Sequence, residues 1–111
     1  VGYELDTNFT KGASIMHDQD AALKNADFVY VKNWSSYEQY GQVLCSDQGW
    51  MLTNKKLAQT NNAKVMHCLP VRRNIVVSDD VLDSPNSLVI EQANNRTFSA
   101  QVVLKKIIEN G

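Results

Sequence analysis

The chain has 111 residues, 43% of them hydrophobic and 21% charged, which allows one compact domain and leaves no room for two ordinary ones. A formal net charge of −1 gives no reason to expect nucleic acid or an anionic membrane as partner, and no apolar run reaches bilayer-spanning length. The two cysteines, Cys45 and Cys68, are too few for a secreted disulfide framework and read as reduced thiols in a cytosolic protein.

Residues 3–9 are compatible with a short helix, punctuated by Gly12. Because the chain begins at Val1, close to this helix-like Tyr3-Glu4-Leu5, a fragment of a longer protein is expected. Residues 13–17 read as a short strand, and Asp18 or Gln19 opens a helical piece through Ala21, Ala22 and Leu23. Residues 27–32 contain Phe-Val-Tyr-Val, a continuous apolar run of strand length. Strand, helix and strand with short joints predict a βαβ unit and a parallel sheet.

Residues 33–52 are the least regular part. Trp34, Tyr37, Tyr40 and Trp50, with Gly41 and Gly49, predict a long ordered loop with a few helical turns, and such loops in compact domains are usually functional or mobile. Thr53 or Asn54 caps a helix through Lys55, Lys56, Leu57 and Ala58. Residues 63–68 form the next strand. Ser78 caps a short helix over residues 79–83, with two acids in the first turn where the helix dipole favours them. Pro85 and Asn86 turn the chain into a further strand, residues 87–91. A last helix, residues 94–109, lines up Phe98, Val102, Val103, Leu104, Ile107 and Ile108 as a broad apolar stripe in need of a partner.

The chemistry gathers where residues 63–68 end. Val65-Met66-His67-Cys68-Leu69-Pro70-Val71-Arg72-Arg73 brings an imidazole, a thiol and two guanidiniums to the carboxyl end of a strand, where open parallel sheets bind ligands. Adjacent strand residues face opposite ways, so His67 and Cys68 cannot easily act as a base–nucleophile pair. A Cys68 hydrolase is only a minor alternative, because a buried strand cysteine is usually inert. His17, Asp18, Asp20, His67 and Cys68 show no paired metal-ligand spacing, so no metal site is expected.

Arg72 and Arg73 suit bidentate binding of carboxylate or phosphate, with a solvated turn as the equal alternative. Arg96 falls in the first turn of the expected last helix. A cation opposes the dipole there, unless an anion binds between it and the free amides. Lys32 ends its strand at the same sheet edge as His67 if the sheet is parallel. The implied ligand is anionic. The chain lacks a glycine-rich phosphate loop, which argues against a nucleotide, and no cofactor is expected.

His67-Cys68-Leu69-Pro70 resembles the His-Cys-Leu-Pro signature of ornithine-type carbamoyltransferases, and Glu91-Gln92-Ala93-Asn94-Asn95-Arg96 resembles the Glu-Ala-x-Asn-Arg element of the same family. Gly2-Tyr3-Glu4-Leu5 and Ala26-Asp27-Phe28-Val29-Tyr30 fit its upstream pattern. The resemblance covers essentially the whole chain. It implies an α/β fold, an open, mainly parallel Rossmann-like sheet flanked by helices, forming an incomplete amino-acid-binding domain of a two-domain enzyme about three times longer. Residues 1–92 would belong to that domain, and residues 93–111 to a helix docking back toward the missing carbamoyl-phosphate domain.

By the same resemblance, His67 hydrogen-bonds the carbamoyl oxygen of carbamoyl phosphate and Arg96 grips its phosphate. Cys68 and Leu69 receive the carbamoyl amide and the attacking amine through backbone carbonyls, and the Leu69–Pro70 peptide is cis. Relatives imply a homotrimer with shared active sites. The departures bear on the substrate. The family's usual aspartate near the end of the first site strand, which holds the free α-ammonium of ornithine, is replaced by Lys32, followed by Asn33-Trp34-Ser35-Ser36-Tyr37. A cation there repels an ammonium but suits an acylated nitrogen and its carboxylates. The resemblance, to the N-acylornithine branch of the family, then implies Lys32, Leu69, Arg72 and Arg73 as the acylornithine-binding residues. Val76 stands where N-acetylornithine enzymes carry a lysine, which favours N-succinylornithine over N-acetylornithine or ornithine. A noncatalytic anion-binding module is the alternative of another class.

Overall fold

In the computed structural model, the structure describes residues 11–34, 38–39, 42 and 47–111. The helix expected over residues 3–9, and Tyr37, Tyr40, Gly41 and Cys45, lie outside them. In chain order the elements are α1 (Gln19–Leu23), β1 (Phe28–Val31), a 3-10 turn (Gln48–Trp50), α2 (Asn54–Leu57), β2 (Lys64–His67), α3 (Asp79–Leu82) and α4 (Val89–Asn110).

Local chemistry starts the first two helices. Asp18 accepts the Ala21 N–H at 3.1 Å to cap α1, and Thr53 accepts the Lys56 N–H at 3.4 Å to cap α2. The Phe-Val-Tyr-Val run forms β1 and pairs in parallel with β2, Val29 beside Val65 and Val31 beside His67. A period of two puts Val29, Val31, Val65 and His67 on one face and Phe28, Tyr30, Lys64 and Met66 on the other. The first face builds the core. Leu52, Ala63, Val65, Val76, Val77 and Val81 are essentially inaccessible, and Leu23, Leu57, Leu82 and Val89 close the cluster from the helices.

Three expectations are corrected. Residues 13–17 form no strand: Ile15 and Met16 are exposed and no ladder partner lies beside them among the described residues. Apolar residues become a strand only where a neighbouring edge pairs with them. The strand expected over residues 87–91 shrinks to a single parallel bridge between Val65 and Ser87. After it the Gln92 N–H bonds the Leu88 carbonyl at 2.8 Å and α4 has begun, five residues before its expected start. A short apolar run such as Leu-Val-Ile serves a strand or a helix start equally well, and periodicity alone does not separate them. Ser78 occupies the cap position of α3 but makes no side-chain cap bond. Asn74 does that work: its Oδ1 accepts the Asp79 N–H at 3.0 Å.

The exposed face of α4, with Ile90, Phe98, Val102, Val103, Leu104, Ile107 and Ile108, remains an apolar stripe. Among the described residues no helix is long and apolar enough to cross a membrane.

Leu52 ties the two halves of the core, since its amide bonds the Val76 carbonyl at 2.9 Å and its carbonyl takes the Ser78 N–H at 3.0 Å. Leu52→Ala leaves a cavity and is expected to cost about 3 kcal/mol of unfolding free energy. A urea titration reads this directly, and a loss under about 1 kcal/mol would contradict the described core.

Candidate active site at the mouth of the parallel strands

β2 delivers His67 into the core at its carboxyl end, where the imidazole is 1% exposed. The Leu69 N–H donates to His67 Nδ1 at 2.9 Å. A nitrogen that accepts carries no proton, so the neutral ring holds its hydrogen on Nε2. Nε2 is buried, with no hydrogen-bond partner among the described residues. Buried polar groups are rarely left so, which marks Nε2 as a donor awaiting an acceptor. Burial, and secondarily the charge of Lys32, lowers the His67 pKa from the ordinary 6.5. The imidazole at this mouth is therefore a neutral donor.

The chain then turns sharply. Leu69 adopts a positive φ of 50°, and the Leu69–Pro70 peptide is cis. Cys68, expected as a buried strand residue, instead follows the end of β2 as an exposed free thiol, while His67 is buried. On the β1 side Lys32 follows Val31, the residue registered against His67, and is exposed at the same mouth. Asn33 brackets the two loops: its Nδ2 donates to the Pro70 carbonyl at 2.8 Å and its Oδ1 accepts the Arg72 N–H at 3.2 Å. Arg72 Nη1 donates to the Trp34 carbonyl at 3.2 Å, which carries this guanidinium toward Lys32's loop.

Arg73 goes the other way. Its guanidinium pairs with Asp79 and, through Nη2 at 2.6 Å, with Asp83. Bonds from Asp83 and then Asp79 raise the Arg73 pKa, and Arg73, with Asn74, lowers that of Asp79. Arg73 thus fastens the loop to α3 with its cation already engaged. Val76, at 1% exposure, belongs wholly to the core. Arg96 lies about two turns inside α4 and not in its first turn, so the expected convergence of its guanidinium with free helix amides is corrected. Arg96 is exposed on α4, four residues after Gln92, whose Oε1 accepts the His67 N–H at 3.0 Å.

The structure therefore brings Lys32, His67, Cys68, Leu69 and Arg72 to one mouth and directs Arg73 away from it. Reading the sequence missed Asn33 and Gln92. Gln92 stood inside a quoted motif and Asn33 next to a charged candidate, but nothing in their identity marked them as crosslinks. His17 lies elsewhere, beside an open hollow shared with Asp18, Asp20, Asp47 and Lys56.

A buried neutral imidazole with cations beside it, at the carboxyl end of parallel strands, has the placement of a ligand site in an α/β unit. The family model for the aspartate/ornithine carbamoyltransferase Asp/Orn-binding domain matches residues 4–107. The chain belongs to that family.

It is 52% identical over 111 residues to an N-succinylornithine carbamoyltransferase of Bacteroides fragilis, covering 98% of this chain and 35% of that enzyme. To an N-acetylornithine carbamoyltransferase of Xanthomonas campestris it is 34% identical over 100 residues, covering 85% of this chain and 30% of the relative. Among solved structures, ornithine carbamoyltransferase from Pyrococcus furiosus superposes with a TM-score of 0.78 at 32% identity, covering 92% of this chain and 37% of that one. An N-acetyl-L-ornithine transcarbamylase variant complexed with carbamyl phosphate and N-succinyl-L-norvaline gives 0.70 at 34% identity, over 85% and 33% of the two chains. The chain thus spans 35% of the length of the B. fragilis enzyme it matches.

A histidine that protonates more readily unfolded than folded makes stability fall as pH is lowered. The His67 contribution is intact above about pH 6.5, declines as pH drops below it, and levels off once the native imidazole is itself protonated. An NMR titration of the imidazole is expected to give a midpoint below 6.5. Lys32→Met should raise that midpoint yet leave it depressed, because burial is the larger cause. A midpoint at or above 6.5 in the unsubstituted protein would contradict the buried neutral ring.

Proposed function

We propose that this chain is the amino-acid-binding part of a longer carbamoyltransferase that moves the carbamoyl group from carbamoyl phosphate to the side-chain amine of N-succinylornithine, giving N-succinylcitrulline and phosphate in arginine biosynthesis. The observation that carries the chemistry is His67 Nε2, a buried donor with no partner among the described residues, on the last residue of β2. As the amine attacks the carbamoyl carbon, negative charge gathers on the carbamoyl oxygen and the C–O bond to phosphate breaks. A preformed donor at that oxygen is stronger in the transition state than in the ground state, which is what lowers a barrier.

Arg96 is assigned to the phosphate, and the carbonyls of Cys68 and Leu69 to the carbamoyl amide and the incoming amine. Lys32 and Arg72 are assigned to the carboxylates of the acylornithine. Arg73, engaged by Asp79 and Asp83, supports the loop and contributes less to binding. The choice of an acylated ornithine rests on Lys32, and the lean toward the succinyl substrate on Val76 and on the 52% identity to N-succinylornithine carbamoyltransferases. The apolar stripe of α4 is read as the surface that docks on the remainder of the enzyme, with a cytoplasmic homotrimer as its working form.

Two assays of the full-length enzyme test this. The enzyme should carbamoylate N-succinylornithine about a hundredfold better than free ornithine, because like charges at short range cost several kcal/mol. A preference for ornithine would sink the Lys32 argument, and a preference for N-acetylornithine would move the assignment within the branch. His67→Ala should lower kcat by about a hundredfold or more with the fold retained. An unchanged kcat would remove His67 from the reaction.

A further inference from the structure

We infer that Gln92 is a positioning residue that sets His67 and Arg96 in one frame, and so fixes the spacing of the groups meeting the two ends of carbamoyl phosphate. The inference rests on the proposed function for the identity of the ligand. Its structural basis is a hydrogen-bond ladder that breaks off one rung early.

Val65 donates its N–H to the Asn86 carbonyl and accepts the Leu88 N–H, both at 2.8 Å, as one rung of a parallel ladder. The next rung would run from the His67 N–H to the Leu88 carbonyl. That carbonyl instead takes the Gln92 N–H at 2.8 Å, because the chain has already entered α4. The His67 amide would be left without an acceptor at the edge of a buried residue, at a real cost.

The Gln92 side chain fills the gap. Its Oε1 accepts the His67 N–H at 3.0 Å, and its Nε2 donates to the Tyr30 hydroxyl at 3.2 Å. One amide therefore spans α4, the end of β2 and the side of β1 opposite His67. Four residues on, Arg96 stands about 6 Å further along the same helix face. Movement of α4 against the mouth changes the His67-to-Arg96 distance, and Gln92 is the crosslink that resists it.

The test compares Gln92→Met, similar in length and helix propensity but lacking the amide, with Gln92→Glu, which keeps an acceptor. Both are made in the full-length enzyme. Carbamoyl phosphate binding is followed by calorimetry, the succinylornithine KM by steady-state kinetics, and His67 amide exchange by NMR. Gln92→Met is expected to weaken carbamoyl phosphate binding about tenfold and speed His67 amide exchange. The KM for succinylornithine should stay within about twofold, and Gln92→Glu should restore protection of the amide and most of the affinity.

Unchanged carbamoyl phosphate affinity in Gln92→Met, or equal losses for both substrates with a matching loss of thermal stability, overturns the role given to Gln92. So does a Gln92→Glu enzyme that protects the amide yet binds no better than Gln92→Met. An unsubstituted enzyme that neither binds carbamoyl phosphate nor turns over an acylornithine overturns the functional reading itself, a result the variants cannot produce.

Discussion

The bond from the Leu69 amide to His67 Nδ1 is the interaction on which the mouth depends. It spans only two residues, so it forms only if the chain doubles back immediately after β2. The positive φ at Leu69 is part of that reversal. Once made, the bond assigns the proton to the far nitrogen, and the core packed around Val65 and Val77 holds the ring in that orientation. The parallel register does the rest: with Val31 beside His67, the residue after Val31 must emerge at the same edge. Lys32 reaches the mouth by topology, with no contact of its own needed to bring it there.

The two sides of the mouth are built differently. The β1 side is a loop-to-loop bracket, Asn33 holding Pro70 and Arg72, and it governs the cations assigned to the carboxylates. The α4 side is a helix-to-strand link, with Leu88 and Gln92 meeting Val65 and His67. Under the proposed assignments, the first side arranges what distinguishes one amine from another, and the second what every such transfer requires. Under the proposed function, substitutions near Asn33 bear on selectivity, and those along the first two turns of α4 bear on reactivity.

The strands and the first helices were legible because their signals are local and strong. The Phe-Val-Tyr-Val run, the Asp18 and Thr53 caps and the Val-Met-His run each became the element they indicated. The misses share a cause. Residues 13–17 and 87–91 are short apolar runs whose fate depends on whether a strand edge lies beside them, and that is not written in the run itself. The late start assigned to α4 misplaced Arg96 relative to the helix end. The cations and the histidine of the site were legible from charge and motif. Their amide supports were not, because asparagine and glutamine look alike whether solvated or crosslinking.

The supports have one property in common. Asn33 at the loops, Gln92 at α4 and Asn74 at the start of α3 all hold their partners through carboxamides. A carboxamide carries no charge and gains none across the range in which proteins stay folded. These three links are thus electrically silent, and acidification or added salt leaves them in place. The charge-sensitive supports are the Leu69-to-His67 bond, which protonation of Nδ1 breaks, and the Arg73 pairs with Asp79 and Asp83, which salt and acid weaken. Acid therefore loosens the Leu69 turn and the anchor to α3 while the Asn33 and Gln92 brackets hold.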